Sequence, residues 1–144
     1  MLIRKSEVTK IVLAELDRLD PVTLIMEDFG PGQGKLTIDC YGKAWTAYWG
    51  GMGDEGIVKF IHTANVDYIA NKLTVIDKNV IDYDAISAKI GTEVDRDTLA
   101  FCNEDLEKHY GCDWYMDLPT TINHEYEYLC RIVSAVKDYL DSNI

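Results

Sequence analysis

The segment from Tyr41 to Gly53, YGKAWTAYWGGMG, gathers two of the chain's three Trp, two of its nine Tyr and four of its ten Gly into thirteen residues. In an extended strand alternate side chains share a face, so Trp45, Ala47 and Trp49 fall on one side and Thr46 and Tyr48 on the other. The two Trp are therefore expected to plug a core, with Tyr48 facing away from it. The glycines that follow turn the chain through angles other residues resist. Upstream, Val22 to Phe29 is β-branched and apolar, and Leu36, Ile38 and Cys40 alternate along the run KLTIDCY. GPGQG, Gly30 to Gly34, and Tyr41-Gly42-Lys43 read as the turns between these runs, which predicts an antiparallel meander. Residues 7–16 suit two assignments: Val8, Val12, Leu16 and Leu19 share a helical face, whereas Ile11 and Leu13 alternate as in a fourth strand.

Beyond Gly53 the period changes. Asp54 and Glu55 are expected as first-turn acids of a short helix carrying Ile57, Val58, Phe60 and Ile61. Asn65 is the N-cap of a second helix reaching Leu73, and Leu73 to Ile76 reads as a brief strand or a loop. Further helices are predicted from Tyr83 to Ile90, stopped by Gly91, and from Arg96 to Tyr110, with Leu99, Cys102, Leu106 and His109 on one stripe. CDWYMDLPTT reads as a loop with an aromatic cluster. Asn123 to Ser142 carries the clearest stripe: Tyr126, Leu129, Cys130, Val133, Val136 and Leu140. Strands first and helices afterwards predict an α+β fold, a single domain over 1–144 that is β-rich in 1–53 and helical and acidic in 54–144.

Charge separates the halves more sharply than composition does. Of the net −11, residues 1–76 hold −2 and residues 77–144 hold −9, with 6 Lys/Arg against 15 Asp/Glu in the latter. Such a half repels nucleic acid, whose binding needs Lys and Arg to displace counterions. It suits a basic protein surface instead. The residues expected to meet such a partner are Asp95, Asp97, Glu104, Asp105, Asp113, Trp114, Tyr115 and Asp117; Trp114, Tyr115 and Met116 between Asp113 and Asp117 have the composition of an interface hot spot and equally suit a core plug. Acids at Glu93, Asp95 and Asp97 also suit helix capping. No run approaches the roughly 18 apolar residues of a membrane span, and MLIRKSEVTK lacks the apolar core of a signal peptide.

The motifs that suggest chemistry are weak. Gly51 to Gly56, GMGDEG, matches G-x-G-x-x-G, with Asp77 about 20 residues on as a ribose-binding acid would be. Against cofactor binding, the preceding strand is aromatic rather than aliphatic, and Asp54 and Glu55 occupy the place where a pyrophosphate needs bare N–H groups. GPGQGK fails as a phosphate loop, having Phe29 and Leu36 where Gly and Ser or Thr are required. Cys102, His109, Cys112 and His124 fit no common zinc spacing, and the four Cys are expected as free thiols. No catalytic residue, cofactor or metal is expected.

The span Leu19 to Gly53, through LDPVT, EDFGPGQGK and YGKAWTAYWGGMG, resembles small early-region proteins of temperate phages and prophages of enteric bacteria. That resemblance implies an accessory product acting in the cytoplasm of a bacterial host, and it transfers no catalytic residue. In that setting the acidic half is expected to serve a non-enzymatic inhibitor of a host defence complex, of the anti-CRISPR or antirestriction type. Its partner would be a host protein or ribonucleoprotein with a basic, nucleic-acid-binding surface. An adaptor or regulator of phage replication or transcription is the alternative, and a nucleotide-binding protein or enzyme a third. An isologous homodimer is compatible with so small a binder.

Overall fold

The computed structural model describes residues 1–143. In chain order the elements are β1 (Lys10–Leu13), β2 (Val22–Gly30), β3 (Gln33–Cys40), β4 (Lys43–Trp49), α1 (Ile57–Thr63), α2 (Val66–Leu73), β5 (Asn79–Ile81) and α3 (Tyr83–Ile90). A 3-10 turn (Leu99–Cys102) leads into α4 (Asn103–Tyr110), followed by α5 (Trp114–Asp117), β6 (Thr120–Ile122) and α6 (His124–Asn143). The class is α+β, with the predicted meander at the N-terminus. Two compact units divide the chain: residues 1–76 with the stretch from Glu125 onward, and Asp77–His124 between them.

In the first unit β1 to β4 form one antiparallel sheet in sequence order. Residues 7–16 resolve as strand over Lys10–Leu13, because Lys10 pairs with Ile25 and Leu13 with Val22. The alternation read from the sequence places Val22, Leu24, Leu36, Ile38, Cys40, Trp45, Ala47 and Trp49 in the core, while Tyr48 is half exposed on the other face. Burying an aliphatic side chain of this size stabilises by about 1.5–3 kcal/mol relative to exposure. Helices cover that face. Ile57 and Ile61 come from α1, Ile69, Ala70 and Leu73 from α2, and Tyr126, Leu129, Ile132, Val133, Val136 and Leu140 from α6. Spacings of three and four along α6 keep this set on one stripe.

The corners are held by specific bonds. Tyr41 and Gly42 both have positive φ, 46° and 79°, the type I′ geometry whose twist matches a two-residue hairpin. Gly32, at φ 70°, lies against the backbone of Gly53; a Cβ there would sit 2.4 Å from the Gly53 carbonyl oxygen. Met52 N–H donates to the Gly32 carbonyl at 2.9 Å, which ties the β2–β3 turn to the chain leaving β4. Trp49 Nε1 donates to Tyr68 Oη at 3.1 Å, joining β4 to α2. At the end of α1, Lys137 Nζ donates to the carbonyls of His62 (2.6 Å) and Ala64 (2.5 Å), satisfying acceptors the helix cannot.

One expectation about α1 changes. Asp54 and Glu55 lie before the helix rather than in its first turn, and its N-cap is Gly56. The acid that serves the helix start is Asp28 of β2, whose Oδ1 accepts from Ile57 N–H at 2.8 Å. A carboxylate there meets the positive end of the helix dipole. The donor that a glycine-fingerprint loop would offer to a phosphate is thus taken by the protein itself.

Candidate interaction surface

The second unit, Asp77–His124, is assembled mostly from local bonds around a small core. Ile86, Val94 and Leu106 are buried, and Ile81, Tyr83, Ile90, Leu99, Cys102, Tyr110, Trp114 and Leu118 pack partly against them. Asp82 caps α3 by accepting from Ala85 N–H at 2.9 Å, and α3 ends where expected, at Gly91 with φ 77°. Ser87 Oγ accepts from Val94 N–H at 2.8 Å and donates back to the Val94 carbonyl at 3.3 Å, drawing Val94 inward. The unit is not wholly helical: β5 and β6 pair antiparallel, with Asn79 opposite Ile122 and Ile81 opposite Thr120.

The predicted helix from Arg96 to Tyr110 is broken, and the break is where the acids act. Asp95 Oδ1 accepts from Asp97 N–H (2.8 Å) and Thr98 N–H (2.9 Å), so its side chain takes donors and closes a turn ahead of the 3-10 segment. Hydrogen bonds from the Thr98 backbone, the Thr98 hydroxyl and the Asp97 backbone hold the Asp95 carboxyl below its ordinary range. It stays charged while capping. Glu104 and Asp105 lie in the first turn of α4, where the helix dipole favours negative charge.

Trp114 begins α5, in a stretch read from the sequence as loop. The side chain is half-buried against the small core, and its Nε1 donates to Asn103 Oδ1 at 2.8 Å. That bond ties the start of α5 to the first residue of α4. Tyr115 and Met116 are exposed, Tyr115 meeting Trp114 edge-on at 6.0 Å. Of the eight residues singled out in the sequence, all but Trp114 are exposed. Sequence reasoning missed Phe101, which is 87% exposed on the 3-10 turn. Its position off the 99–102–106–109 stripe was the available signal.

The unit holds 11 Asp/Glu against 4 Lys/Arg. Among the described residues none of these acids is in an ion pair with Lys, Arg or His. In the first unit, by contrast, Glu27 pairs with Lys35 and Glu55 with Lys59. The Cys and His examined for metal binding have other surroundings. Cys102 Sγ donates to the Thr98 carbonyl at 3.6 Å, and His109 and Cys112 are exposed. Among the described residues no group of three or more His, Cys, Asp or Glu gathers as for a metal ion. Among them, too, no helix is long and apolar enough to cross a membrane.

Fold and surface together define a small α+β protein that presents acids and aromatics from a unit with little core of its own. The chain belongs to a phage protein family, Phage_phiTE_072, whose family model matches residues 1–142. The match extends well beyond Leu19–Gly53 and takes in the acidic unit. No curated protein and no solved structure matches the chain.

Proposed function

We propose that this phage protein is a non-enzymatic inhibitor of a host nucleic-acid-targeting defence complex, of the anti-CRISPR or antirestriction type, acting in the cytoplasm of the bacterial host cell. It binds through the exposed acids of Asp77–His124 to a basic surface that would otherwise grip a phosphate backbone. One observation carries the reading: these acids are exposed and, among the described residues, not in ion pairs with the protein's own cations. Their field is therefore available to a partner, steering encounter and penalising acidic competitors. Tyr115, Met116 and Phe101 supply the apolar contact that charge alone does not.

The test is a pull-down from a bacterium that carries CRISPR and restriction systems, with the wild type and a variant bearing Asp95→Lys, Asp97→Lys, Glu104→Lys and Asp105→Lys. The expected catch is a Cas or restriction subunit, held less tightly as salt rises and lost in the variant. Capture that is indifferent to the four reversals and to salt would refute the acidic mechanism. Recovery of replication or transcription proteins instead would favour an adaptor or regulator, and a co-purifying nucleotide would favour small-molecule binding.

A further inference from the structure

The sheet has two edges, and they are unlike. β1 is only four residues long and begins at Lys10, a short edge with little to offer another strand. β4 runs for seven residues, with no Pro, no acid and no bulge in its pairing with β3. Its outer groups follow from the register. In a two-residue hairpin the residues flanking the turn, Cys40 and Lys43, exchange hydrogen bonds, so the bonded positions on β4 are 43, 45, 47 and 49. The N–H and C=O groups of Ala44, Thr46 and Tyr48 therefore point away from β3, toward the open edge.

We infer that β4 is the seam of a symmetric homodimer, in which two copies pair antiparallel about a two-fold axis at Thr46 and their sheets join into one of eight strands. Three features of the strand specify a second copy as the occupant. The outward-bonding residues are centred on Thr46, so 44, 46 and 48 meet 48, 46 and 44 of the other copy with every ladder bond made. In that register small faces large: Ala44 lies opposite Tyr48 and Ala47 opposite Trp45, and Lys43 comes opposite Trp49. Charge permits it as well. Residues 40–53 are the longest stretch of the chain without Asp or Glu, in a protein with 25 acids and a net charge of −11. Along β4 two copies set no acid against acid.

This inference is independent of the defence target proposed above. Sedimentation of the full chain, from micromolar to millimolar, should show its 16.4 kDa mass doubling with concentration. Thr46→Lys sets two cations face to face on the axis and should weaken self-association roughly tenfold or more. Thr23→Lys, on the same sheet face but two strands inward, should leave association intact. In the wild type, hydrogen exchange at the amides of Ala44, Thr46 and Tyr48 should be fast in dilute solution and slow in concentrated solution. A protein monomeric throughout the range, or a dimer that survives Thr46→Lys in a folded variant, overturns the inference. If Thr46→Lys does not fold, the wild-type exchange decides: amides equally fast at all concentrations are equally fatal.

Discussion

The two units keep their shape by different means. The first has twenty buried hydrophobic residues among those described, drawn from a sheet face, Met52 and three helices, and its core is continuous. The second has three, and leans on side-chain-to-backbone bonds from Asp82, Ser87 and Asp95 and on the Trp114–Asn103 bond. A core so small yields little hydrophobic stabilisation per residue. The unit that carries the exposed acids is therefore held less by a core than by its surface side chains, Asp95 among them.

Core deletions test that contrast most severely. Leu36→Ala should cost about 3 kcal/mol, read as a lower denaturant midpoint for the whole first unit, since the side chain is fully buried between sheet and helices. Leu106→Ala should cost about 2 kcal/mol and act locally. Amides in Asp77–His124 should lose hydrogen-exchange protection while those of β2 to β4 keep theirs. If both regions lose protection together, the units are one cooperative body and the contrast fails.

A smaller effect is expected at Tyr126, whose hydroxyl donates to Asp67 at both the carbonyl (3.3 Å) and Oδ1 (3.2 Å). Burial first, then the neighbouring Cys130 and Asp67, push the phenol up to about 12. The neutral form is favoured in the folded state, so this contribution is complete below the ordinary tyrosine range and is lost as pH rises from about 10 through about 12. Tyr126→Phe should cost about 1 kcal/mol near neutrality and flatten that part of the alkaline stability profile. The smallest effect belongs to Asp95. Its carboxyl is depressed, so its capping contribution is present above the ordinary aspartate range and disappears as pH falls through the lower folded value. Amides of 97–99 should exchange faster on acidification in the wild type, and already at neutral pH in Asp95→Ala. If both proteins exchange alike at neutral pH, the cap is ornamental.

What could be read from the sequence follows the same division. β3, β4, α3 and α6 were legible because a buried face repeats at a fixed period and Gly91 marks a stop. In the second unit burial is slight and periodicity carries little information. β5 and β6 are three-residue strands, mostly exposed, and their pairing joins residues some forty positions apart. Of the stripe through Leu99, Cys102, Leu106 and His109, the first three reach the small core and His109 is exposed. The continuous helix inferred from it is broken, because Asp95 offers the backbone a competing turn. Asp28 at the head of α1 was invisible for another reason: it acts across 29 residues, and only the folded sheet brings it there. Seven of the eight candidate contact residues are exposed, while Trp114 packs on the small core, the other reading its aromatic cluster allowed.

The pairing of β5 with β6 has a consequence for how this chain can vary. The second unit leaves the first at Asp77 and returns at His124, and the two strands of its stem hold those ends side by side, with Asn123 N–H donating to the Lys78 carbonyl at 2.8 Å. A segment whose termini are clamped together can be lengthened, shortened or exchanged beyond the clamp while the host fold sees the same two attachment points. The stretch between Ile81 and Thr120 is thus bounded at both ends by one paired stem.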